Sequence, residues 1–113
     1  MGPFMEKDHV IKARMGISPN EIAAFCKRRQ ITELALFGSV LRDDFGPDSD
    51  IDVLVKFSPD AKLSFLALVQ MEEELSEMLS RPVDLVEKIA VEKSPNWIRR
   101  KDILDSAKTI YAA

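Results

Sequence analysis

The stretch FGSVLRDDFGPDSDIDVLVKF, Phe37 to Phe57, decides how the rest of the chain is read. Its second half, Asp50 to Phe57, alternates: Ile51, Val53 and Val55 fall on one side of an extended chain, and Asp50, Asp52 and Leu54 on the other. That pattern predicts a strand. Yet acidic residues are depleted in strands, and like charges on one strand face repel. Two of them at the head of the most apolar run in the chain need a gain that offsets the cost.

Working outward, Thr32 to Phe37 (TELALF) reads as a second strand that stops at Gly38-Ser39. Before it, Ser18-Pro19-Asn20-Glu21 carries the marks of a helix start: a capping Ser, Pro in the first turn and Glu three residues on. Ile22, Phe25 and Cys26 form the apolar stripe of that helix, which ends near Gln30. Downstream, Leu63 to Ser80 places Phe65, Leu68, Met71, Leu75, Met78 and Leu79 at helical spacing, leaving Glu72, Glu73, Glu74 and Glu77 to a wet face. Arg81 to Glu87 (RPVDLVE) is a third strand with Pro82 at its start. Ser94-Pro95 opens a last helix reaching Ala107, in which Trp97 is expected to pack rather than to anchor a protein contact, and Ile110-Tyr111 forms a short tail against the core. The order predicts an α/β (α+β) fold, a small β-sheet flanked by helices. Periodicity does not fix the strand order.

Composition bounds the function. At 113 residues, 46% hydrophobic and 31% charged, the chain has the make-up of one globular domain, 1–113, with an N-terminal extension over 1–17. A net charge of −3 supplies no broad basic field, so nucleic acid is not expected as a partner. A single cysteine, Cys26, and a single histidine, His9, exclude an intramolecular disulfide and a Cys/His zinc site, so any metal must be held by oxygen. No run approaches the roughly 18 to 20 apolar residues of a spanning helix, and the N-terminus lacks the pattern of a signal peptide. A soluble, cytoplasmic protein without a membrane partner is expected.

The acidic pair finds its use in this frame. Side chains two apart on a strand leave one face with Cα atoms about 6.5 to 7 Å apart, so Asp50 and Asp52 can lean towards one cation. Mg²⁺ suits them, being held by one or two carboxylates together with water and phosphate oxygens. Asp84, in the middle of the apolar VDLV run, offers a third carboxylate if its strand lies beside Asp52. Without a cation, three such acids repel one another and at least one stays protonated. Upstream, Gly38 allows a backbone to come close to a ligand, and Ser39 at the start of a helical turn attracts phosphate. Arg42, three residues on, adds a permanently charged donor fork. Phosphate ligands on one side and metal ligands on the other describe a site for a nucleoside triphosphate. Cys26, by contrast, is expected to be a small buried hydrophobe.

Taken together, Gly38-Ser39 followed by Arg42, then Ser49-Asp50-Ile51-Asp52 and Asp84 in its VDLV strand, resemble the GSxxR, SDIDxxV and VDLV motifs of the minimal nucleotidyltransferase (MNT) family. That family belongs to the DNA polymerase β-like nucleotidyltransferase superfamily. The resemblance covers the motif core from 32 to 87. It departs from many members in the bulkier Val40 and Leu41 and in the acidic Asp43-Asp44.

The resemblance implies a polymerase β-like fold with a mixed sheet, and a site in which Asp50, Asp52 and Asp84 hold two Mg²⁺ ions. Gly38, Ser39, Arg42 and Ser49 would bind the nucleotide, and Asp84 completes the metal site or acts as the base. It further implies an enzyme that transfers AMP from ATP to a hydroxyl, a Tyr in some members, of a partner HEPN toxin, and so acts as an antitoxin in a homo- or hetero-oligomer. Two rivals stand beside it: an antitoxin that acts by binding alone, and a nucleotidyltransferase for a small molecule, which normally needs an added helical domain.

Overall fold

The alternation after Asp50 becomes a strand, β2 (Ile51–Phe57), in the interior of a four-stranded sheet. It pairs antiparallel with β1 (Ile31–Phe37) on one side and parallel with β3 (Val83–Glu87) on the other, while β4 (Lys108–Ala112) closes the far side of β1. The sheet is therefore mixed, as expected. This computed structural model describes Gly16, residues 18–42 and residues 45–113; apart from Gly16, the N-terminal extension lies outside the described residues, as do Asp43 and Asp44.

Each face of the sheet meets helices. Ile51, Val53 and Val55 join Leu34 and Leu36 in the main core, against Ile22, Phe25 and Cys26 of α1 (Pro19–Arg28) and Met71, Leu75 and Leu79 of α2 (Phe65–Leu79). A fully buried Leu or Phe contributes about 1.5–3 kcal/mol through removal of its surface from water. Cys26 is sealed in this core, and burial pushes its thiol up to about 12, which makes it inert. On the opposite face Ala35, Phe37 and Leu54 pack with Val91 of α3 (Lys88–Glu92) and Ile103 of α4 (Trp97–Ser106). Asp52 belongs to this second face. Among the described residues, no helix is long and apolar enough to cross a membrane.

Several expectations are corrected. KIAVE, which forms α3, spans five residues and is too short to show a period. The Ile110-Tyr111 tail does pack on the core, but as a strand paired with β1. The last helix starts at Trp97, not at Ser94-Pro95, because the Asn96 side chain accepts the Arg99 N–H at 3.1 Å and caps it. Trp97 is 61% exposed and does not pack.

The acidic face of α2 is also less wet than its charges suggest. Glu72 accepts the Leu85 N–H at 2.9 Å, and the Ser76 hydroxyl accepts the Val83 N–H at 3.0 Å. Helix side chains thus satisfy the free edge of β3, where unpaired donors would otherwise invite another chain. Glu74 accepts from Arg29 Nε at 2.9 Å and Arg29 Nη2 at 2.6 Å, and also from Arg28, tying α2 to the end of α1. Burial raises the Glu74 carboxyl, but the hydrogen bonds from Arg29 and Arg28 outweigh it and hold the group below its ordinary range. A lowered acid stabilises the fold above its unfolded value and loses that contribution as pH falls through the folded value. Glu74→Gln is therefore expected to cost about 1 kcal/mol in urea unfolding at pH 7, the gap closing below about pH 4. An undiminished gap in acid would rule out the ion pair as its cause.

Candidate functional site

The site forms where α3 and α4 leave the head of β2 uncovered. Asp52 and Asp84 are register partners across the parallel β2–β3 pair, so their side chains leave the same face from strands about 4.8 Å apart. On its other side Asp52 faces Phe37 of β1. Asp50 immediately precedes β2, whose first N–H, that of Ile51, donates to the Pro82 carbonyl at 3.0 Å and fastens it to the entry of β3. Asp52 is half-buried, whereas Asp50 and Asp84 are exposed.

Gly38 opens a 3-10 turn, Gly38–Leu41, at the end of β1. Its φ of +77° lies in the left-handed region, and a Cβ there would stand 2.2 Å from Asp52 Oδ2. Only glycine lets the turn lie against that carboxylate. The Ser39 hydroxyl donates to the Asp50 carbonyl at 3.3 Å, which links the turn to the acidic strand head. Val40 is wholly buried and Leu41 packs on the main core, so the two bulky residues that depart from the resemblance anchor the turn. The Arg42 N–H closes it on the Ser39 carbonyl at 2.9 Å.

The loop into β2 is held by a residue that strand and helix patterns do not single out. Arg81 donates through Nη1 to the carbonyls of Gly46 at 2.9 Å and Ser49 at 3.0 Å, and its guanidinium lies 4.3 Å from the centroid of the Phe45 ring. Ser49 braces the same loop, its hydroxyl accepting the Gly46 N–H at 3.0 Å.

A cavity of about 690 Å³ adjoins the acids. Gly38, Arg42 and Asp52 line it from the sheet side, and Arg99, Asp102 and Ser106 of α4 from the other. Ser39, Ser49, Asp50 and Asp84 lie outside this lining. Arg99 was not anticipated, although its spacing to Asp102 and Ser106 puts the three on one helix face, a pattern legible once a cleft is suspected.

Burial, then the Asp84 and Asp50 carboxylates, raise the Asp52 carboxyl above its ordinary range, with Arg42 and Arg99 opposing them. Asp52 is thus the centre of a crowd of negative charge. Among the described residues, no three Asp, Glu, His or Cys side chains close into a cage that could hold an ion unaided. The fit is to Mg²⁺ held by one or two carboxylates and completed by phosphate oxygens, since the donors are all oxygen and one of them is crowded by like charge.

Comparison with known proteins identifies the family and the fold. The nucleotidyltransferase domain family model matches residues 20–110. A candidate protein adenylyltransferase of Methanocaldococcus jannaschii is 38% identical over 71 residues, which cover 61% of this chain and 67% of that protein. Among solved structures, a toxin–antitoxin crystallised with AMP-PNP superposes with a TM-score of 0.65 at 20% identity, covering 86% of this chain and 75% of that one. An MNT antitoxin bound to the tri-AMPylated HEPN toxin of Shewanella oneidensis gives 0.57 at 21% identity, covering 84% and 70%. At these identities the two structures share the fold. With most of its length matched by the family model, the chain belongs to the nucleotidyltransferase domain family.

Proposed function

We propose that the chain is a Mg²⁺-dependent, single-domain adenylyltransferase of the cytoplasm, which moves AMP from ATP to a tyrosine hydroxyl of a HEPN toxin and thereby acts as its antitoxin. The observation that carries this reading is the Asp52–Asp84 register pair, with Asp50 beside it and the Gly38 backbone against Asp52. Further support comes from the relatives: one is a candidate protein adenylyltransferase, and another was crystallised with its AMPylated HEPN toxin.

In this mechanism Asp50 and Asp52 would hold Mg²⁺, which when bound would neutralise phosphate charge and make the acceptor hydroxyl more acidic. The Gly38–Leu41 turn and Arg42 receive the phosphates, and Ser49 keeps the loop before Asp50 in shape. Asp84, exposed on β3, meets an acceptor arriving from solvent and takes its proton. The acceptor oxygen bonds to the α-phosphorus as the bond to the bridging oxygen breaks, and pyrophosphate leaves. Fixed charge aimed at the developing charge supplies most of the acceleration.

A binding-only antitoxin is the second reading. It is favoured by exposed apolar surface at the start of α4, where Trp97 is 61% and Ile98 65% exposed, as on surfaces that a protein partner covers. Incubation with α-labelled ATP, Mg²⁺ and the HEPN partner tests both. Label on a partner tyrosine is the expected result; a neutralised toxin without label would overturn the enzymatic reading.

A further inference from the structure

We infer that Arg99 of α4 is a phosphate-binding residue that, with Arg42, grips the β- and γ-phosphates of the nucleotide. This rests on the nucleotidyl-transfer reading and assigns a direction to the substrate within it.

The two guanidinium groups come from different elements, the turn after β1 and the first turn of α4, yet both line the cavity that Asp52 borders. Arg99 makes no side-chain hydrogen bond or salt bridge with another described residue, although Asp102 stands three residues on along the same helix face. A cation with a planar fork, facing a cavity without a bound partner, is suited to a polyphosphate.

The distribution of charge orients that ligand. Asp50 and Asp84 lie outside the cavity lining, whereas Arg42 and Arg99 lie within it together with Asp102 and with Asp105, which Lys101 pairs at 2.8 Å, and Asp52 is common to both regions. An α-phosphate at Asp52 then directs its pyrophosphate into the cavity between the arginines. The acceptor approaches from the opposite side, along exposed Asp84. The arginines would also attract the departing pyrophosphate, whose negative charge grows as the bond to it breaks.

The test compares wild type, Arg99→Ala, Arg99→Gln and Arg99→Lys by calorimetric titration with AMP-PNP and with AMP, each in the presence of Mg²⁺. Arg100→Ala serves as control, because Arg100 donates to the Ser94 carbonyl at 2.6 Å and does not line this cavity. Removing the charge is expected to weaken AMP-PNP about 10- to 100-fold, as loss of a charge-assisted hydrogen bond does, while AMP shifts less than about 3-fold. Arg99→Lys should recover part of the loss, since it keeps the charge without the fork. The salt dependence of AMP-PNP binding should flatten in Arg99→Ala, a change that a structural role would not cause.

Equal losses for AMP and AMP-PNP, or no loss, would overturn the assignment while leaving nucleotidyl transfer intact. So would tighter Mg²⁺ binding at unchanged AMP-PNP affinity, which would make Arg99 a counter-ion of the acids. Wild type that binds neither nucleotide would sink both this inference and the function it rests on. Melting curves of each variant confirm folding; Arg99 is exposed, so its own variants should match wild type closely.

Discussion

Gly38→Ala is expected to reduce adenylyl transfer at least about 100-fold, the loss that follows when a catalytic group is displaced by about 1 Å. Two independent facts force that displacement. At φ +77° an alanine is strained, costing about 1–2 kcal/mol. Its methyl group would also lie 2.2 Å from Asp52 Oδ2, far inside contact distance, so either the turn or the carboxylate must shift. The loop cannot yield cheaply, because the neighbouring Val40 is wholly buried in the main core. Asp52 is the movable party, and its carboxylate is forced out of the position it now holds beside Asp84. The measurement is transfer of labelled AMP together with urea unfolding. A variant destabilised by the expected amount but fully active would show that the close approach of Gly38 to Asp52 has no catalytic use.

How much of this could be read without coordinates follows from the physics of each element. The β2 alternation, the long amphipathic α2 and the Ser18 cap were legible because each imposes a period or a local hydrogen bond; Ser18 does accept the Glu21 N–H, at 3.2 Å. Asp52 and Asp84 could be named as partners only on condition that their strands were neighbours, because alternation says which face a residue takes and nothing about which strand lies alongside. The long connection through α2 settled it, as parallel strands need a crossover of that kind. Arg81 and Arg99 were missed for a different reason. A single charged side chain on a surface carries no periodic signal, and its role comes from a loop or cavity that exists only once the chain has folded. The same holds for Glu72 and Glu74, which looked like a solvated face and instead bond a strand edge and two arginines.

Asp52→Asn is expected to abolish transfer, by about 1000-fold or more, and at the same time to leave the metal-free domain as stable as wild type or slightly more so. The opposite signs have one cause. In the absence of a cation the Asp52 carboxylate is disfavoured by burial and by Asp84 and Asp50, which raise its pKa above the unfolded value. An acid raised by folding lowers stability as pH climbs through the ordinary carboxylate range, and the loss is complete above its folded value. At pH 7 a neutral amide of the same shape removes that repulsion, for a gain of about 0.2–1 kcal/mol, the size of a like-charge pair on adjacent strands. Mg²⁺ with AMP-PNP should then raise the melting temperature of wild type and leave the variant nearly unchanged, because stabilisation by a ligand requires that it bind the folded state. Asp50→Asn should behave likewise in transfer, with a smaller effect on stability because Asp50 is exposed. Full transfer by both variants would remove the acids from the chemistry. If transfer is lost but the proposed HEPN partner is still silenced, neutralisation comes from binding alone, for which the exposed Trp97 and Ile98 are the candidate surface.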